Sequence, residues 1–295
     1  MAIDTSYELF SDEPEYIKAN RDFVTCLPIE GVNRALDLAC GTGLITQFLL
    51  DRMPSMAIAG IDLDPHQIEI ARRNLKSRGI FSEDLSSWKT ASESRPVIFL
   101  KIGSALDLRD FDNESIDLVI IANAIHLIED RDNFLREVSR ILKQGGVFAF
   151  NSVFFSGTFP KLSEKIYAEW MKEAVINLNR LNEERLKNGY HSLKRIRGRS
   201  GIAFDKNWLS PDQWSQTLEM HKIKCRTNQL REVHITQRGL EAVSSYGGLS
   251  TVLLSGYPVD VASECLKIAA SNIFKKHGIS HVPRYWLEYI GTKQA

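Results

Sequence analysis

From about residue 33, short apolar runs alternate with stretches of helical periodicity, and this alternation constrains the chain more than any other feature it carries. RALDLA, MAIAGID, VIFLKIG, SIDLVIIAN and VFAFNSVFF are of strand length and apolar along most of their course. Such runs fit strands covered on both faces, as in a parallel sheet wrapped by helices. Between them lie amphipathic segments. One sets Ile68, Ala71 and Leu75 on a single face after the helix-opening pair Asp64-Pro65; another sets Phe134, Leu135, Val138, Ile141 and Leu142 on one face and is expected to stop at Gly145-Gly146. The pattern predicts an α/β, doubly wound sheet. SEDLSSWKTASESRP, residues 82–96, is polar and rich in breakers and reads as a loop into the third strand.

After the fifth strand the alternation stops. Leu162, Ile166, Trp170, Ala174, Leu178 and Leu181 keep helical spacing over a long helix, and Ser210-Pro211-Asp212 opens another. CRTNQLREVHIT reads as a sixth strand, residues 258–277 as a helix and PRYWLEYIG as a closing strand. The expected division is an N-terminal helical segment, 1–30, and one large domain, 31–295, with insertions at about 156–207 and 237–281 that form a helical cap. Insertions of that length in an α/β domain tend to be functional lids, so the cap is expected to lie over the carboxyl edge of the sheet. Gly157, Gly189, Gly198, Gly201, Gly247 and Gly248 offer places to bend, and the segment around 187–203 is expected to be mobile without substrate and to order when both ligands are bound.

Thirty-seven basic residues balance 37 acidic ones, and the sequence pI is about 7.1. No global field draws this chain to nucleic acid or an anionic membrane, so neither is an expected partner. A local exception is the run Lys187, Lys194, Arg195, Arg197 and Arg199 with His191, which suits a phosphate, a carboxylate, a carrier protein or RNA, and equally a solvated loop. No apolar run reaches the roughly 18 residues of a membrane helix, and MAIDTSYELFSDEPEY lacks a signal core, so a cytoplasmic location is expected. Cys26, Cys40, Cys225 and Cys265 form no C-x-x-C pair; no metal site or disulfide frame is expected.

The stretch ALDLACGTGLIT, residues 35–46, carries a glycine turn at the exit of the first strand. Dinucleotide folds place G-x-G-x-x-G or A there, whereas Gly41-Thr42-Gly43-Leu44-Ile45-Thr46 ends in threonine. Asp37, four residues before Gly41, would repel a pyrophosphate and attract an ammonium group. Asp62 ends the second strand, where a carboxylate can accept hydrogen bonds from ribose hydroxyls. A ligand with a ribose and a cationic end but no phosphate describes S-adenosylmethionine.

LDLACGTG, GIDLDPHQIEIAR, GSALDL and FDNESIDLVIIANAIHLIEDRDNFLREVSRILKQGGVF follow one another in an order that makes residues 35–152 resemble a class I S-adenosylmethionine-dependent methyltransferase of the broad small-molecule branch. The resemblance implies a Rossmann-like seven-stranded sheet with its last strand antiparallel and the cofactor at the carboxyl ends of the first strands. By position it assigns Asp37, Gly41 and Gly43 to the methionine portion, Asp62 to the ribose diol and Leu63 to one face of the adenine. Ser104 stands where many relatives have an aspartate reading the adenine amino group; the hydroxyl can accept that bond without charge assistance, and Ala105 offers its backbone N–H.

A sulfonium methyl is already activated, so the protein has to align the acceptor, exclude water and where needed remove a proton. The residues after the fourth strand, Ile121 to His126, lack the Asn-Pro-Pro-Tyr type turn of enzymes that methylate planar amino groups. Asn123 leaves the strand near the expected methyl position and is assigned to the cofactor side. His126 is the candidate general base or orienting group, since an unperturbed imidazole titrates near neutrality; a structural histidine is the competing reading. Tyr167, Trp170, Tyr190 and Tyr246 are the substrate-binding candidates in the cap, with His191, Trp208 and Tyr257 beside them, and they serve equally as the cap's own core. The expected function is methyl transfer to a small, apolar or aromatic acceptor such as a natural product. An RNA or protein methyltransferase, or a non-methylating binder of the same cofactor, are the rivals.

Overall fold

In the computed structural model, which describes residues 8–90, 96–193 and 208–295, the chain runs through α1 (Glu8–Ser11), α2 (Pro14–Thr25), β1 (Arg34–Leu38), α3 (Leu44–Arg52), β2 (Ala57–Asp62), α4 (Pro65–Leu75), β3 (Ile80–Phe81), α5 (Leu85–Thr90), β4 (Val97–Ile102), β5 (Ile116–Ala122), α6 (Arg131–Ile141) and β6 (Leu142–Ser152). It continues through α7 (Lys161–Lys187), α8 (Pro211–Met220), β7 (Ile223–Thr236), α9 (Gln237–Ser245), α10 (Gly247–Leu253), α11 (Val259–His277) and β8 (His281–Lys293). Contacts divide the described residues into two units. A sheet unit holds Ala19–Ser156, Trp208–Arg231 and Trp286–Ala295, and a helical unit holds residues 8–18, 157–193 and 232–285.

The sheet has the order β3-β4-β2-β1-β5-β6-β8-β7. β1, β2, β4, β5 and β6 pair in parallel, and β8 pairs antiparallel with β6. The apolar runs are the central strands, and Ala35, Leu36, Ile58, Leu118, Ile120 and Phe148 are sealed from solvent. Strand order reverses between β1 and β5, and at such a switch point the carboxyl ends of an open sheet leave a crevice for a ligand.

Three expectations need correcting. The sheet has eight strands rather than seven, because β3 adds a two-residue edge parallel to β4. Of the stretch 82–96, residues 91–95 lie outside the described residues, and the part before them is not simply a loop: Asp84 accepts the Ser87 N–H at 2.7 Å, a helix-opening bond, and α5 buries Trp88 edge-on to Phe111 with ring centroids 6.2 Å apart. That helix was obscured by its polar surroundings. Finally, α6 stops at Ile141 rather than at the glycine pair. The N–H groups of Glu114 and Ser115 take the Arg140 and Ile141 carbonyls at 3.0 and 2.9 Å, and Leu142 is already paired with Ile116 as sheet.

In the helical unit α7 and α11 pack on one another. Trp170 donates its indole N–H to the Leu266 carbonyl at 2.9 Å, and Ala174, Ala269 and Ala270 are fully buried. The buried Glu13 and the half-buried Glu15 tie the start of α2 to α9: Glu13 meets Arg238 at 2.9 Å, and Glu15 accepts the Thr236 N–H at 3.1 Å. No helix among the described residues is long and apolar enough to cross a membrane.

Candidate active site

The turn that leaves β1 is built from backbone that side chains rarely adopt. Ala39, Gly41 and Gly43 all have positive φ, at 53°, 51° and 81°. The Gly41 N–H donates to Asp62 Oδ2 at 2.8 Å, and the other Asp62 oxygen accepts the Asp64 N–H at 3.0 Å. Asp62 therefore joins the exits of the two adjacent strands, each oxygen retaining a lone pair for a further donor. Asp64 caps α4, accepting the His66 N–H at 2.8 Å. Gly43 has a second reason to be small: a Cβ there would sit 3.0 Å from Leu75 and 3.3 Å from Ala71 on α4.

Asp37 lies inside the sheet, 1 % exposed. Its Oδ2 accepts the Thr46 hydroxyl at 2.7 Å, while Oδ1 is buried and has no hydrogen-bond partner. Burial pushes the carboxyl up to about 7, with Asp62 adding to the effect and the Thr46 hydrogen bond opposing it. Thr46 is the residue that departs from the dinucleotide pattern. Its hydroxyl holds the acid in place, so the departure and Asp37 form one arrangement.

At the ends of β2 and β4, Leu63 is 71 % and Ile102 55 % exposed, while Asp62 and Ile102 are register partners. Two apolar side chains thus stand exposed at the ends of the strands that carry the acid and its register partner. Ile102 escaped the sequence reading because it looks like an ordinary strand residue. Ser104 is half-buried, and its hydroxyl oxygen accepts the Leu106 N–H at 3.1 Å, leaving one lone pair; Ala105 beside it is half-buried too.

Asn123 has φ 50° and is part of a lock across two strand exits. Its N–H donates to the Asn151 side chain at 2.8 Å, and its own side-chain oxygen accepts the Val153 N–H at 3.3 Å. Asn151 in turn donates to Asn20 at 2.9 Å. This lock sets the short helical turn Ile125–Leu127, where His126 packs on Phe154 with ring centroids 4.1 Å apart. Trp208 lies 5.5 Å beyond Phe154. His126 and Trp208 stand out in the sequence, whereas Phe154 does not, because the run VFAFNSVFF presents it as one more core aromatic.

Asp37, Gly41, Gly43, Asp62, Leu63, Ser104, Ala105, Asn123 and His126 all belong to the sheet unit, at the carboxyl ends of β1, β2, β4 and β5 or in the turns that follow. The other candidates belong to the helical unit. Tyr167 and Trp170 are buried together on α7, with centroids 6.4 Å apart. Tyr190 is exposed under the Arg185 guanidinium, and Tyr246 precedes α10. Lys187 ends α7 and His191 follows it, whereas Lys194, Arg195, Arg197, Arg199, Gly198 and Gly201 lie outside the described residues, as does most of the segment 187–203. Among the described residues no three acids, histidines or cysteines are placed to hold a metal ion.

Comparison with known proteins bears on the same region. Residues 36–150 match the family model described as "Methyltransferase domain". The malonyl-[acyl-carrier protein] O-methyltransferase of Paenibacillus sp. (strain JDR-2) is 23 % identical over 265 residues, 88 % of this chain and 82 % of that one. The trans-aconitate 2-methyltransferase of Rhizobium leguminosarum bv. trifolii (strain WSM2304) is 32 % identical, but over 77 residues only; the match covers 26 % of this chain and spans 30 % of that relative's length. Among solved structures, the protein BH2331 of Bacillus halodurans C-125 superposes with a TM-score of 0.54 at 12 % identity, over 94 % of this chain and all of that one. The [4+2]-cyclase SpnF does so with a TM-score of 0.53 at 15 % identity, over 95 % and 82 %. Likeness at these identities speaks for the fold alone. The family match covers residues 36–150, the part of the chain that holds the glycine turn and its two acids.

Proposed function

We propose that this protein transfers the methyl group of S-adenosylmethionine to a small-molecule acceptor. The observation that carries the reading is the buried Asp37 oxygen without a partner, next to a glycine turn whose first N–H is held by a second acid. An isolated buried acceptor is costly, and an ammonium group satisfies it while a phosphate would not. Asp37, Gly41 and Gly43 would hold the methionine portion of the cofactor, Asp62 the ribose diol, and Leu63 with Ile102 the faces of the adenine. Ser104 and Ala105 would meet the adenine edge, and Asn123 the side toward the methyl. When bound, the cofactor supplies an activated methyl on a sulfonium.

The protein's own contribution to transfer is alignment and, for acceptors that carry a proton on the reacting atom, its removal. His126 is held for that task by the asparagine lock behind it and the Phe154 ring beside it. The aromatic trio His126, Phe154 and Trp208 favours an apolar or aromatic acceptor, and the balanced net charge favours a small molecule over nucleic acid. The relatives' names differ in their acceptors, so the reading stays at the level of a small molecule.

Incubating the protein with a metabolite extract and methyl-labelled cofactor tests this. Label should pass to an extractable small molecule with an equal yield of S-adenosylhomocysteine. Cofactor binding with no such product from any acceptor would leave a non-methylating protein, and binding of nicotinamide dinucleotides instead would overturn the site assignment. Asp62→Ala is expected to weaken S-adenosylhomocysteine binding by roughly 1 to 3 kcal/mol in calorimetry, through lost hydrogen bonds to the ligand and to the glycine turn.

A further inference from the structure

In the sheet unit, two asparagines lie fully buried behind the turn that carries His126, and the methyl-transfer reading gives the first of them no task. Asn20 stands on α2 and Asn151 at the end of β6, each 0 % exposed. The two ends of the Asn151 amide are both engaged. Its Oδ1 accepts the Asn123 N–H at 2.8 Å, and its Nδ2 donates to Asn20 Oδ1 at 2.9 Å. The Asn151 carbonyl accepts the same Asn123 N–H at 2.9 Å. Asn123 returns a bond, its side-chain oxygen taking the Val153 N–H at 3.3 Å. Two residues further along α2 a second tie holds the helix to the sheet: Asp22 meets Arg231 at 3.4 Å, and Arg231 meets Glu288, the register partner of Asn151.

A primary amide has nearly the same shape at its two ends and opposite hydrogen bonding. Turned over, Asn151 would aim its NH2 group at the Asn123 N–H, donor against donor. Shape does not choose between the two orientations. The Asn20 oxygen does, because it accepts only from a donor and so holds the NH2 end toward α2. What depends on this choice is a residue in an unfavourable backbone state: Asn123 sits at φ 50°, a left-handed conformation that persists where the surrounding bonds over-determine it. Three residues later comes His126, whose ring packs on Phe154.

We propose that Asn20 is a positioning residue for methyl transfer: by accepting from Asn151 it fixes which end of that amide faces Asn123, and through Asn123 the turn that presents His126 to the acceptor. The proposal rests on the methyl-transfer reading for its purpose, whereas the bonds it invokes need no ligand. It divides the site in two. Asn20 serves the acceptor side after β5 and leaves the glycine turn, with Asp37 and Asp62, as it is.

Residue-resolved amide exchange by NMR on the full chain gives the test. Asn20→Leu keeps the bulk and removes the acceptor, whereas Asn20→Asp keeps an acceptor whether ionised or protonated. In Asn20→Leu the Asn123 and Val153 amides should exchange about tenfold faster or more, as loss of a buried hydrogen bond does. The Gly41 and Gly43 amides, bonded to Asp62 and to the Cys40 carbonyl, should change by less than about threefold, and so should S-adenosylhomocysteine affinity in calorimetry. Asn20→Asp should bring Asn123 and Val153 back to within about threefold of wild type. At saturating cofactor, the initial rate of label transfer to the metabolite extract should fall about tenfold or more in Asn20→Leu and recover in Asn20→Asp, as expected for a displaced reacting group. Unchanged exchange at Asn123, equal acceleration at Asn123 and Gly41, or a transfer rate indifferent to Asn20→Leu overturns the proposal. If Asn20→Leu does not fold, Asn20→Ala is judged by the same outcomes. Absence of transfer from the wild type sinks the methyl-transfer reading and the purpose given to Asn20 with it, whereas unchanged exchange beside normal wild-type transfer sinks the Asn20 proposal alone.

Discussion

Asp37→Asn is expected to stabilise the ligand-free protein at pH 8 and at the same time to weaken its hold on the cofactor. The carboxyl is raised from 3.8 to about 7 in the folded chain, mainly by burial. A raised acid means that the folded state holds its proton more tightly than the unfolded chain does. Asp37 is thus harmless to stability below about pH 4. The penalty grows as the pH rises from there to about 7, where the folded chain must keep a proton or bury a charge, and is complete above it. A shift of this size corresponds to an order of 4 kcal/mol at pH 8. Asn removes the charge and keeps an acceptor for the Thr46 hydroxyl, so urea unfolding should show the variant gaining on the wild type between pH 5 and 8, with the two converging near pH 4.

Cofactor binding should respond in the opposite sense. The methionine ammonium pairs with the ionised acid, so in wild-type protein the affinity for S-adenosylhomocysteine should rise up to about tenfold per pH unit below 7 and level off above it. Binding near pH 6 should release a proton, visible as a buffer-dependent enthalpy in calorimetry. Asp37→Asn should show neither effect and bind roughly ten to a hundredfold more weakly at pH 8, the worth of one charge-assisted hydrogen bond. A wild-type affinity indifferent to pH between 5.5 and 7 would falsify the assignment of Asp37 to the ammonium.

Gly43→Val is expected to be the most damaging single change in the turn. Its backbone sits at φ 81°, where a β-branched side chain is strained, and the new Cβ would meet Leu75 at 3.0 Å and Ala71 at 3.3 Å. Left-handed backbone costs about 1 to 2 kcal/mol and overpacking about 1 to 3 more. The urea midpoint should fall accordingly, and because this residue caps the start of α3, S-adenosylhomocysteine binding should be lost along with it. Gly145→Ala is the matched control. It has a similar φ of 75° but open space around it, so it should lose only the backbone part, about 1 kcal/mol, and bind normally. Equal losses in the two variants would show that packing of α4 on the turn contributes nothing.

The sequence alone determined the central strands, the glycine turn and its two acids, because these rest on short-range patterns. Apolar runs of strand length, the spacing from Asp37 to Gly41 and a polar residue at the end of β2 are local facts that survive any arrangement of the rest. The end of α6 was less legible: the helical spacing runs on through Leu142, and only pairing with β5 turns that residue into sheet. α5 was hidden for the converse reason, since a single buried Trp88 holds it in place amid polar neighbours.

Tertiary structure alone decided what the site residues do for one another. That Thr46 is the partner of Asp37, that Phe154 stands beside His126, and that Asn20 reaches Asn151 to brace the turn after β5 all join residues from separate elements. Side-chain identity states which bonds a residue is able to make. Which bonds it makes, and which donor or acceptor is left over for a ligand, depends on distances that only the packing of distant segments sets.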